Sequence, residues 1–178
     1  MERGGLAKAR QYPLSDEDIR KVVGGDVKIW NYRDLEGLQN IEQMFDDKGR
    51  AILLYPNAGP NTGHWVCLIH RGDSIEFFDP YGEAPEEQKD GLSEQRLEAF
   101  GIDTPELIRL LKGSGKPVYY NTHQFQSLKN SIATCGRHCA VRLLYSPYSL
   151  EKYKSVIDSS KMSPDDFVVG VSYDKIRK

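Results

Sequence analysis

The sequence predicts an α+β fold, a small and mostly antiparallel central sheet flanked by helices. Three observations predict it. Three short apolar runs stand close together in the middle of the chain, RAILLYP (50–56), HWVCLIH (64–70) and SIEFFDP (74–80), separated by the turn-forming stretches NAGPNTG and RGD. Segments with helical periodicity lie on both sides of them. No internal repeat and no linker divides the 178 residues, a length that suits one domain with a substantial core. The motifs that carry chemistry fall within about residues 50–146.

The elements follow in order. LSDEDIRKVV (14–23) is a short helix, with Ser15 as N-cap, acids in the first turn and Gly24-Gly25 as its stop. In NYRDLEGLQNIEQMF (31–45), Leu35, Leu38, Ile41, Met44 and Phe45 recur near helical spacing and predict a second amphipathic helix. Asp46–Gly49 is a turn. The three apolar runs are strands, and 64–70 with 74–80 form a hairpin across RGD. YGEAPEEQKDGLS is a polar loop. EQRLEAFG and TPELIRLLKG are short helices, and KPVYYNTHQFQ (116–126) contains a further strand. A helix over 135–146 buries Ala140, Val141, Leu143 and Leu144. SLEKYKSVIDSSK and SPDDFVVGVSYDK close the chain as helices, the second opened by Ser163 as N-cap, Pro164 at N1 and acids behind it.

Composition narrows the function classes. A net charge of −2 supplies no global basic field to gather nucleic acid, although a local basic patch stays open. The apolar runs are far below the ~18 residues that span a bilayer, and MERGGLAKARQYPL lacks the apolar centre of a signal peptide. Three cysteines, Cys67, Cys135 and Cys139, make no secreted disulfide framework. These features predict an intracellular, reduced setting with no membrane partner, where a thiol keeps its chemistry.

Cys135 is the candidate nucleophile. The apolar helix signal begins just after it, so its thiol belongs at a helix N-terminus, where unpaired N–H groups and the dipole favour thiolate. Gly136 lets a substrate backbone approach without a Cβ in the way. Cys139, one turn on, reads as a small buried hydrophobe. A thiolate nucleophile works beside an imidazole. Of His64, His70, His123 and His138, His64 is favoured because it opens a strand after a Gly/Pro/Asn loop, so its ring can reach over a sheet edge. Asp79 is the candidate to orient that ring. Pairing across Arg71–Asp73 sets opposed residue numbers summing to about 143–145, which brings His64 beside Asp79 at the open end of the hairpin. The oxyanion of an acyl-transfer intermediate would take one hydrogen bond from the Cys135 N–H and a second from Gln124 or Gln126, which share a face in extended chain. A zinc module built from His64-x-x-Cys67 and Cys135-x-x-His138 is the rival from another class. It is opposed by strand geometry, since residues three apart point to opposite faces.

The set His64-Trp65, Asp79, Gln126 and Cys135-Gly136, in that order, resembles the adenain-like and SUMO/ubiquitin-like-protein-specific cysteine proteases. Papain-like enzymes carry cysteine before histidine. The segment YYNTHQFQSLKNSIATCGRHC is similar to proteases of large double-stranded DNA viruses and related mobile elements, where an aromatic-Asn and a hydrophobic-Gln precede Thr-Cys-Gly-Arg; on that basis Gln126 is preferred to Gln124. The late Ser-Pro-Asp-Asp helix start is similar to viral members too. The resemblance implies a thiol endopeptidase acting after small residues, at Gly-Gly-X or Gly-X-Gly sites. Its catalytic residues would be His64, Asp79, Gln126 and Cys135, with Trp65 and Gly136 as the substrate-binding pair. It implies no cofactor, and nothing in the sequence transfers the viral peptide or DNA that help adenain. The implied partner is a polypeptide with a Gly-containing site, either a viral capsid or core precursor or a ubiquitin-like protein. That would place the chain in the host cytoplasm or virion if viral, and in cytoplasm or nucleus if cellular. Alternatives are a deconjugating protease, an inactive relative that only binds, and self-processing at RGGL (3–6) or VVGGD (22–26).

Overall fold

The computed structural model describes residues 3–178. The fold is α+β, and its sheet corrects the expectation of a small, mostly antiparallel one. Five strands lie side by side in chain order: β1 (Lys28–Asn31), β2 (Arg50–Gly59), β3 (Thr62–His70), β4 (Ile75–Phe78) and β5 (Val118–Tyr120). The central pairs β2–β3 and β3–β4 are antiparallel, but the outer pairs β1–β2 and β4–β5 are parallel. The physical reason is the length of the connections. A tight turn can only reverse the chain, whereas the long stretches between β1 and β2 and between β4 and β5 cross over and return in the same direction. Both outer strands are three or four residues long, too short to show periodicity.

Seven α-helices are described. They are α1 (Arg3–Gln11), α2 (Asp16–Val23), α3 (Glu94–Phe100), α4 (Glu106–Gly113), α5 (Cys135–Leu144), α6 (Leu150–Ser159) and α7 (Pro164–Ile176). The sheet is buried on both faces, which is why its central strands read as continuous apolar runs. Trp65, Cys67 and Ile69 of β3 face one cluster, closed by α2, α5, α6 and α7. Val66 and Leu68 face a second, closed by α4 and the 31–45 segment.

That segment is not one helix. It forms two 3-10 turns, Tyr32–Gly37 and Ile41–Met44. Leu35, Ile41, Met44 and Phe45 are buried as their spacing predicts. The break follows from local chemistry: Gly37 weakens the helix, and the Gln43 side chain accepts from the backbone N–H groups of Gln39 and Asn40, which restarts the chain. Helix α1, with two glycines, carries no sequence signal; it forms against α7.

Helix α5 packs between β3, α2 and α7. Its axial position is set by fully buried Arg142, whose guanidinium donates to both Glu76 oxygens of β4 at 2.9 and 3.0 Å and to the Tyr145 and Tyr148 carbonyls. The far end of α5, with Cys135, is thereby presented at the rim where β4 stops.

Candidate functional site

The hairpin register is the geometric origin of the site. Cys67 pairs with Phe78 and His70 with Ile75, so opposed numbers sum to 145, as the turn predicts. Strand β4 ends at Phe78, and His64 therefore pairs with Tyr55 on one side and has no β4 residue on the other. The ring occupies that gap. Gly63 makes its position possible, because a Cβ there would overlap the Tyr55 carbonyl oxygen across the β2–β3 pair.

In the gap, His64 Nε2 lies 2.9 Å from Asp79 Oδ1, both groups buried. Asp79 is held at every polar atom. Oδ1 also accepts from the Tyr81 N–H at 2.7 Å, and Oδ2 accepts from Gln88 Nε2 at 3.0 Å. Its backbone N–H donates to Asn121 Oδ1, and its carbonyl accepts from Asn121 Nδ2. A carboxylate so fixed selects the His64 tautomer with the proton on Nε2, leaving Nδ1 as the acceptor nitrogen of the ring.

Cys135 is the first residue of α5, half-buried and free. Burial alone would raise its thiol. The hydrogen bond and charge of His64, with the N–H groups of Trp65 and Gly136, outweigh that and hold it below its ordinary value. Burial would likewise lower His64, but the bonds to Asp79 and Cys135 raise it to about 9. The arrangement favours a thiolate–imidazolium pair.

The structure separates the two glutamines. Gln126 is buried, while Gln124 is exposed and donates to the Gln126 carbonyl. Gln126 joins the cluster through Tyr81: its Nε2 donates to the Tyr81 hydroxyl at 3.3 Å, and the Tyr81 ring stacks on His64 with centroids 4.6 Å apart. Its Oε1 has no partner among the described residues. Trp65 and Gly136 pack on one another rather than facing open space. A Cβ at Gly136 would stand 3.2 Å from Trp65 Cδ1 and 3.1 Å from Leu14 Cβ, and Trp65 Nε1 donates to the Leu14 carbonyl. The missing side chain thus lets α5 close on β3, and the room expected for a substrate backbone is taken by Leu14 and Trp65. Beside them lies a groove of about 480 Å³, lined by Leu14, Ser15, Leu54, Thr62, Gly63 and Trp65 among others.

The other titratable groups lie apart. Cys67 and Cys139 are buried, and Cys139 Sγ lies 3.3 Å from the Trp65 carbonyl. His70 pairs with Glu42 and Lys116 near the hairpin turn, and His123 is exposed against Phe125. His138 is fully buried on Asp165, and burial lowers it below its ordinary value. Among the described residues no three His, Cys, Asp or Glu side chains are grouped to hold a metal ion, and no helix is long and apolar enough to cross a membrane. Sequence reasoning missed Tyr81, Gln88 and Asp165. For Tyr81 a signal existed, since a register sum of 145 puts residue 81 opposite His64.

Fold and site together define an α+β domain with a buried His–Asp pair set against a cysteine at a helix N-terminus. The chain belongs to the family of the uncharacterized protein V9 of Sputnik virophage, to which it is 33% identical over 164 residues, spanning 89% of this chain and 93% of that protein. No family model matches the chain. Among solved structures, it is similar to the central domain of the uncharacterized Lpg1148 protein from Legionella pneumophila, with a TM-score of 0.46 and 16% identity over 93% of this chain and 96% of that one.

Proposed function

We propose that this protein is a cysteine endopeptidase of the adenain-like kind, cleaving after small residues at Gly-Gly-X or Gly-X-Gly sites in a viral structural precursor. One observation carries the reading: a single buried imidazole sits 2.9 Å from a fixed carboxylate and is electrostatically coupled to a thiol at the start of a helix. The relationship to a virophage protein supports the viral setting.

In this mechanism the Cys135 thiolate attacks the scissile carbonyl, and the carbonyl electron pair moves to oxygen. The Cys135 N–H and the Gln126 amide hold that oxyanion. Imidazolium His64 protonates the leaving amine as the C–N bond breaks. The neutral ring then takes a proton from water, which attacks the thioester and releases the acid and the thiol. Asp79 keeps the His64 tautomer and Tyr81 covers the ring. Gln126→Ala is expected to lower kcat by about 10²–10³, with KM little changed, because the lost bond forms only as the oxyanion develops. Steady-state kinetics on a glycine-containing peptide check this.

The settings of the chain's own Gly-Gly pairs support a substrate outside the chain. Gly4-Gly5 lies within helix α1, and Gly24-Gly25 closes α2, so neither offers the extended backbone that a protease groove binds. Cleavage profiling on a Gly-Gly-X peptide library, with ubiquitin and SUMO conjugates run alongside, tests the reading. Peptide turnover without deconjugation is the expected result. Deconjugation alone would move the assignment to ubiquitin-like substrates, and no cleavage of either kind would favour a binding role.

A further inference from the structure

The Ser-Pro-Asp-Asp start of α7 carries two adjacent acids that do different work. Asp166 completes the helix cap: its N–H donates to Ser163 Oγ at 3.1 Å, and its Oδ2 accepts from that hydroxyl at 2.9 Å. Asp165 turns inward and is buried. Its Oδ2 accepts from the Ser127 N–H at 3.1 Å, and its Oδ1 accepts from Thr134 Oγ1 at 2.5 Å and from His138 Nε2 at 3.0 Å.

These partners are placed tellingly. Ser127 follows Gln126, and Thr134 precedes Cys135. One carboxylate therefore grips both ends of the loop that joins the two groups assigned to the oxyanion. The span between the grips is largely open to solvent, with Leu128 69% exposed, so the loop itself does little to fix the separation of its ends. Thr134 sits at the N-cap of α5, yet its hydroxyl caps nothing there because it is committed to Asp165. The first N–H groups of α5 are left free of that oxygen.

We infer that Asp165 is a positioning residue that sets the oxyanion hole, by tying the residue after Gln126 and the residue before Cys135 to one buried point. This rests on the protease reading above and adds a device to it. An asparagine at 165 keeps the shape but loses the charge and has one carbonyl oxygen where three donors converge, so at least one of the three bonds is broken or must reverse its direction.

Two reagents separate this role from general damage. Iodoacetamide alkylates a thiolate by displacement and needs no oxyanion hole. An N-acetyl-Gly-glycinal aldehyde adds to the same sulfur: the S–C bond forms, the carbonyl electron pair passes to oxygen, and that oxygen sits in the hole and takes a proton from His64. Affinity for the aldehyde is read as protection of Cys135 from alkylation. In Asp165→Asn the alkylation rate and its pH midpoint are expected to stay at wild-type values while aldehyde affinity falls about tenfold or more, a fraction of what losing a whole donor costs. Thr134→Val removes one grip with little change of shape and is expected to act in the same direction. It serves as the test if Asp165→Asn does not fold. Asp166→Asn is expected to bind aldehyde as wild type does. Wild-type aldehyde affinity in folded Asp165→Asn or Thr134→Val overturns the inference and leaves the protease reading standing. Wild-type protein that is not alkylated preferentially at Cys135, or is not protected by aldehyde, overturns the protease reading itself.

Discussion

Cys135→Ala is expected to lose hydrolysis by a factor on the order of 10⁶, to the level set by what remains of the site, while folding as the wild type does. The loss is large because the other parts act on a bond that only the sulfur makes. Without it, His64 has no thiol proton to take, and the groups assigned to the oxyanion have no tetrahedral intermediate to hold. The fold should tolerate the change for equally concrete reasons. The side chain is half-buried at the first position of α5, and alanine is a good helix former. The helix is anchored elsewhere by Arg142 on Glu76 and by Cys139, Ala140, Val141 and Leu143 in the core. The Asp79 network does not pass through the sulfur. A melting temperature close to wild type, with no turnover of a Gly-Gly-X peptide and no labelling of residue 135 by a thiol probe, is the expected combination. Wild-type turnover by this variant would end the assignment.

The legibility of this chain divides along physical lines. Where one local rule decided the outcome, the sequence was enough. The RGD turn set the hairpin register, which stops β4 short of His64 and leaves Asp79 within reach of its ring. The start of an apolar helix signal placed Cys135 at an N-terminus, and Ser15 and Ser163 cap the helices they were expected to cap. Where tertiary packing decided, the sequence was silent or misleading. Residues 31–45 bury the expected side chains, but on 3-10 turns, since periodicity reports which residues face inward and not whether the backbone is continuous. Strand β1 exists because a longer neighbour offers it an edge. The choice between Gln124 and Gln126 has no local signal, since both point the same way in extended chain. Their different burial follows from two backbone bonds, from the N–H groups of Phe125 and Gln126 to the Pro80 carbonyl, which draw the segment inward. The supports of the site, Tyr81, Gln88, Asn121 and Asp165, are remote from it in sequence or lie in stretches that read as loop or helix start. Their roles come from what they touch.

His64→Ala is the second large effect, and its pH signature is what distinguishes a working pair from a packed histidine. Turnover is expected to fall by about as much as for Cys135→Ala, on the order of 10⁶. The fold should survive, at a cost of about 2–4 kcal/mol for the cavity, because Asp79 keeps its bonds from Tyr81, Gln88 and Asn121. In the wild type, activity is expected to rise as the thiol ionises below its ordinary value and to fall again as His64 loses its proton near about 9. In the variant the thiol keeps its burial but loses the hydrogen bond and charge that lowered it, so the alkylation midpoint of Cys135 moves upward. Stability follows a different course. The raised imidazole contributes stability that is complete below its unfolded value of 6.5 and is lost as pH rises through about 9. The lowered thiol contributes stability that is present above its unfolded value of 9.0 and is lost as pH falls through its folded value. Where the pH is above both 6.5 and the thiol's lowered folded value, and below about 9, the folded pair is thiolate and imidazolium while the unfolded chain has thiol and imidazole, so both states hold one proton between the two groups. The pair's contribution to the melting temperature should therefore be nearly flat across that window, while the alkylation rate of Cys135 stays high at its acid end in the wild type and is low there in His64→Ala. An alkylation midpoint that does not move when the ring is removed would show that the imidazole does not hold the thiolate. His64 would then be a buried strand residue that happens to lie near a cysteine.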